Sequence, residues 1–186
     1  QDVFAKPELH FYQTGSDEFF TRHSPREILG APIDMAFLDG MHRCEYLLRD
    51  FINTERHCKR SSVIALHDCL PVEAGIASRM PSQAQSLAPH RKGWWAGDVW
   101  RTSLLLRRRR PDLQMTVLDS SPTGLVLITN LDPGNTTLSD SYPRCVQDML
   151  SWNLDEIGTA ALFAEMDVGS TSGLQAHEDI TQKFWL

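Results

Sequence analysis

Four residues, in two short stretches, have the types and spacing to do chemistry. In the first stretch an apolar run, Ile33 to Leu38, ends on Asp39, turns at Gly40 and presents His42 three residues after the carboxylate. In the second, Ser62 to Leu66 ends on His67 and Asp68, and Pro71 follows. Carboxylates are the usual ligands of hard divalent cations such as Mg²⁺. An imidazole is the natural general base near neutral pH and also a nitrogen ligand. His42 is therefore the candidate base, with Asp39 beside it. Asp39 and Asp68 are candidate metal ligands, and His67 as a third would shift the preference from Mg²⁺ toward Mn²⁺, Fe²⁺ or Zn²⁺. Two plainer readings stand beside these. His67 packs inward by strand alternation, or Asp39 only shapes a pocket while His42 caps the next helix.

The flanking sequence has to bring these residues together. The Ile33 run, bounded by Pro32 and Gly40, reads as a central strand covered on both faces. The Val63 to Leu66 run reads as a second strand. Between them, Arg43 to Cys58 has helical spacing at Leu47, Leu48, Phe51 and Ile52, with Glu45/Arg49 and Glu55/Lys59 as i,i+4 pairs. Strand, helix, strand at this length is a right-handed unit with parallel strands. If neighbours, the strands lie about 4.8 Å apart. Ligands of open α/β sheets sit outside the carboxyl ends of such strands, where Asp39 and Asp68 would converge.

The remaining chain supplies further elements. Leu9 to Gln13 reads as a short strand, followed by a helix around Asp17 to His23 with Ser16 or Asp17 as N-cap. Leu70 to Trp95 is a long connection of little periodicity, the kind that is functional or mobile. It ends in Trp94 and Trp95 beside glycines. These two indoles and Asp98 are the candidate substrate contacts, the alternative being that the indoles staple the loop to the sheet. Asp98 is also placed to cap a helix from Val99 to Arg109. The run Arg107 to Arg110 suits the negative end of that helix dipole better than a nucleic acid. Leu113–Asp119 and Leu125–Thr129 are strands with a short link and so antiparallel. Pro143–Trp152 and Asp155–Glu165 read as helices. Residues 166–186 read as a tail docked by Phe184 and Trp185.

The segments IDMAFLDGMH, LRDF, SVIALHDCLP, GDVW, LRRRRPDL and TVLDSSPTGLVLIT together resemble the S-adenosylmethionine-dependent methyltransferases of the Rossmann-like class. In particular they resemble a bacterial small-molecule branch whose fourth and fifth strands end in D-G-x-H and H-D. The resemblance spans roughly Leu9 to Leu131. It implies an α/β fold with a mostly parallel sheet, a reversed C-terminal hairpin and strand order 3-2-1-4-5-7-6. It implies S-adenosylmethionine as cofactor, with Ser16 and Asp17 toward the adenine and Asp39 in the cofactor pocket. The implied reaction is O-methylation of a small-molecule hydroxyl, with His42 as base and a divalent metal, Mg or Mn, at Asp39 and Asp68. The chain departs from the family in two ways: no G-x-G-x-G occurs in its 186 residues, and the acid expected to end the second strand is missing. The expectation is an N-terminally incomplete chain, lacking the first two strands, that binds S-adenosylmethionine weakly on its own. Two other readings remain open, a non-catalytic partner module and a metal-dependent hydroxylase on the same fold.

Size and composition fit one domain, residues 1–165, with the tail after it. The 41% hydrophobic and 23% charged residues are typical of a globular protein. No run approaches the roughly 20 apolar residues of a membrane span. A net charge of −6 argues against a general nucleic-acid binder. The four cysteines lack any C-x-x-C spacing and read as free thiols of a reducing cytoplasm. Cys44 and Cys58 are placed at opposite ends of one helix. The expected partner is a small-molecule substrate, not a nucleic acid or a membrane, with a homo-oligomer left open.

Overall fold

A computed structural model describes residues 8–174 and 177–184. The chain is α/β, built on an open, mixed sheet of four strands. β1 (Ile33–Leu38) and β2 (Cys58–His67) are parallel neighbours joined by helix α3 (Cys44–Glu55). Their register pairs Phe37 with Ala65 and Leu38 with Leu66, so Asp39 and His67 leave the sheet side by side. β3 (Gln114–Leu118) and β4 (Leu125–Thr129) form the expected antiparallel pair. The spatial order is β1-β2-β4-β3. β4 runs against both neighbours, so the sheet is mixed, and of its three pairings the β1–β2 one is parallel.

Helices α1 (Ser16–Arg22) and α2 (Pro25–Leu29) precede the sheet. α4 (Trp100–Arg109), α5 (Thr137–Asp140), α6 (Tyr142–Ser151), α7 (Leu154–Ile157), α8 (Thr159–Met166) and α9 (His177–Phe184) follow. The core forms because α3 sets Leu47, Leu48 and Phe51 on one stripe and β2 alternates Ile64 and Leu66 toward it. Leu104, Leu105 and Leu106 of α4 and Val126 and Ile128 of β4 complete that cluster.

Several expectations need correction. Leu9 to Gln13 is not a strand; it is exposed and unpaired in any sheet. β1 is an edge strand, with Met35 and Phe37 63% and 55% exposed, so it is not covered on both faces. Asp34 interrupts its apolar run, Ala36 and Leu38 pack against the core, and Met35 and Phe37 form an open apolar face. α3 stops at Glu55, and Cys58 opens β2. The intrahelical pairs are replaced by longer-range ones: Arg49 binds Asp17, Glu45 binds Arg79, Glu55 binds the buried Arg110, and Lys59 binds Asp34. α1 is preceded by Gly15 and has no side-chain cap, so neither Ser16 nor Asp17 is its N-cap. The predicted helix at Asp155–Glu165 is split at Gly158, whose φ is +82°.

The start of the tail is integrated: Met166 is buried, and Gly169 bridges to Leu118 beside β3. The docking expected from Phe184 and Trp185 lies outside the described side chains. Arg107, Arg108, Arg109 and Arg110 each meet a carboxylate: Asp167, Glu165, Asp148 and the pair Glu55 and Asp112. All four cysteines are free and buried. Among the described residues no helix is long and apolar enough to cross a membrane.

Candidate active site

The carboxyl ends of β1 and β2 bring all four singled-out residues together. His42 Nε2 lies 3.4 Å from Asp39 Oδ1 and 3.2 Å from Asp68 Oδ2. His67 Nδ1 lies 3.3 Å and 3.4 Å from the same two oxygens. Each imidazole nitrogen thus faces both carboxylates. His67 is not packed into the core; it lies on the sheet face of Phe37, whose ring centroid is 5.8 Å away.

The backbone is bent to achieve this. Met41, His42 and Asp68 have φ of 48°, 47° and 59°, a left-handed region that non-glycine residues rarely enter. Such conformations cost on the order of 1–3 kcal/mol each and collect at functional sites. His42 is held by its neighbours. Its carbonyl accepts from the Asp98 N–H at 3.2 Å, and its ring stacks on Trp95 at 4.8 Å and 22°. Trp95 Nε1 donates to the Ser78 carbonyl at 2.7 Å. Gly97, at φ +67°, lies against His42 so closely that a Cβ would fall 2.0 Å from the His42 oxygen. Asp68 is buried and accepts from the Thr123 hydroxyl on Oδ1, leaving Oδ2 for the histidines.

The other singled-out residues fall elsewhere. Trp95 walls the cluster through His42, whereas Trp94 meets Arg91, whose guanidinium lies 5.9 Å from its ring. Asp98 is fully buried. It does not cap α4, whose N-cap is Val99 without a side-chain bond. It accepts instead from the Cys44 N–H at 2.8 Å, at the start of α3, and from Arg79 and Arg101 at 2.6 and 2.9 Å. Asp17 is engaged by Arg49 through two bonds of 2.9 and 2.8 Å. Ser16 opens α1, and its hydroxyl is one influence that holds down the Asp50 pKa.

Sequence reasoning missed three residues that shape the site. Thr123 and Arg79 come from irregular segments, and neither had a local signal. Gly97 was read only as a neighbour of the tryptophans. A second group, Cys44, Glu45 and Asp98, also gathers ligand-type atoms. Arg79 and Arg101 already neutralise it. Burial, then the Asp98 and Glu45 charges, push the Cys44 thiol up to about 12. That group is structural.

Comparison with protein-family models, curated proteins and solved structures found no match to this chain.

Proposed function

We propose that the Asp39, His42, His67 and Asp68 cluster is the reacting centre of a small-molecule enzyme of the methyltransferase type, one that binds and deprotonates an acceptor hydroxyl. The observation that carries this reading is the convergence of two carboxylates and two imidazoles at the carboxyl ends of adjacent parallel strands. The sheet supports it too: the order β1-β2-β4-β3, with β4 reversed, is the order 4-5-7-6 that the sequence resemblance implies.

Each residue has a part. Asp68, fixed by Thr123, anchors the centre from below. His42 Nε2 faces the carboxylates and is the candidate base, while its Nδ1 is enclosed without a hydrogen-bond partner. The half-exposed carboxylate of Asp39 is the acceptor a substrate reaches. Trp95 offers an apolar wall beside it. Bound between Asp39 and Asp68, a divalent cation would lower the pKa of a hydroxyl lying on it. S-adenosylmethionine would supply the methyl group, but Asp17, expected at its adenine, is committed to Arg49. No step is derived through that cofactor.

The test is methyl transfer from labelled S-adenosylmethionine to a panel of small hydroxyl compounds by the full gene product and its Asp68→Asn variant. The substitution keeps shape and removes a charge, so turnover should fall by about a hundredfold or more. Undiminished turnover in the variant would remove the cluster from the chemistry.

A further inference from the structure

We infer that Asp98, assisted by Thr102, is the positioning residue of this site: it holds the turn that carries His42 and so fixes where the base sits. Helix α3 begins just after His42, and its N-cap residue, Arg43, makes no side-chain cap bond. The first N–H groups of a helix have no partner inside it. Here the Cys44 N–H is satisfied across 54 residues, by Asp98 Oδ1 at 2.8 Å. The Asp98 N–H in turn donates to the His42 carbonyl at 3.2 Å. Thr102, in the first turn of α4, donates its hydroxyl to the Cys44 carbonyl at 2.8 Å. Three backbone groups within residues 42–44 are thus held by one segment, residues 98–102. Gly97 permits the approach, because a Cβ there would meet the His42 oxygen.

The turn needs such a clamp. His42 has φ 47°, and a residue in that region persists there only when its surroundings hold it. Released, the backbone would relax and swing the imidazole away from Asp39 and Asp68. Misplacing a reacting group by about 1 Å can cost about a hundredfold in rate. Asp98 is fully buried, which keeps it from a substrate. Its carboxylate bonds the Cys44 N–H, Arg79 and Arg101 and none of the four cluster side chains, so it acts on His42 through the backbone. A buried carboxylate must be paired, and the two guanidiniums, at 2.6 and 2.9 Å, do this. Each arginine also has a second partner: Arg79 binds Glu45, and Arg101 donates to the Trp152 carbonyl. The negative charge also suits the positive end of the α3 dipole.

The inference rests on the proposed function in taking His42 as the base, and two readouts on the full gene product keep the two apart. The His42 imidazole proton resonance, shifted by the ring current of the stacked Trp95 and assigned by its loss in His42→Ala, reports the ring's position without any methyl donor. Turnover with labelled S-adenosylmethionine and small hydroxyl compounds reports the chemistry. Asp98→Asn keeps an oxygen for the Cys44 N–H, and both arginines keep their second partners. Its His42 resonance should stay in place and its kcat within about threefold of the parent. Asp98→Ala leaves the Cys44 N–H without an acceptor. Its His42 resonance should lose the ring-current shift, and kcat should fall by about tenfold or more with the acceptor KM within about twofold. If Asp98→Ala fails to fold, Thr102→Val, which removes one hydroxyl bond and keeps the volume, carries the test with the same expectations. An unmoved resonance in the variant that carries the test would overturn the inference. So would parental turnover with the resonance displaced, or an Asp98→Asn variant displaced as far as Asp98→Ala. A parent that transfers no methyl group would overturn the methyl-transfer reading alone, with the resonance still deciding what holds His42.

Discussion

At Asp68 one carboxylate oxygen accepts from Thr123 while the other faces His42 and His67, so a single buried side chain is both anchored and presented. Asp50, one helix away, has no such arrangement. It is buried below Gly40, and its Oδ1 has no hydrogen-bond partner. Burial, with the Asp17 charge adding, raises its pKa against the opposing Ser16 hydroxyl. A carboxyl raised in the folded state costs stability once ionised. That cost is absent below the ordinary aspartate value of about 3.9 and complete above the raised folded value. Asp50→Asn should therefore raise the melting temperature at pH 7, by the equivalent of about 1 kcal/mol. The gain should shrink to nothing in melts run below about pH 4. A variant that melts lower than the parent at pH 7 would show that Asp50 is satisfied in a way the geometry does not reveal.

Between β2 and α4 lies a connection with only short 3-10 turns at Ala74–Ala77, Pro81–Gln83 and Pro89–Arg91. It is pinned at three places, one of them the stacking of Trp95 on His42. Arg79 bridges Glu45 and Asp98 at 2.6 Å each, and Gly97 packs on the His42 backbone. Gly97→Ala puts a Cβ where the His42 carbonyl stands and disfavours φ +67°. It should cost about 2 kcal/mol or more. Stacking of Trp95 on His42 should be lost with it. Tryptophan fluorescence and thermal melts check both, and an Ala variant with parental spectrum and stability would contradict this account of the loop.

The strands were legible at this scale because their signals are local. The Ile33 run, the Val63 run and the Leu113–Thr129 hairpin each carry apolar sequence bounded by turn residues, and each ends within a few residues of its predicted limit. The four chemical residues were legible because strand ends project them from known positions. What escaped was long-range. Asp98 looks like a local cap, yet its partner N–H is 54 residues away at Cys44. Thr123 reaches Asp68 across 55 residues. Leu9 to Gln13 has strand-like composition but no neighbouring strand to pair with, and propensity without pairing does not make a strand.

For the molecule as a whole, one layer of helices packs on a sheet whose other face leaves Met35 and Phe37 exposed. The reactive cluster sits at the rim of that open face, next to Phe37, instead of in a closed cavity. An accessible rim site suits a small molecule that must reach an ion or base and leave again. The central claim is that these two carboxylates and two imidazoles form one reacting centre. Methyl transfer from labelled S-adenosylmethionine by the full gene product and its Asp68→Asn variant tests it most directly. The account predicts turnover about a hundredfold or more lower in the variant, with an unchanged circular dichroism spectrum. Undiminished turnover in the variant would contradict it.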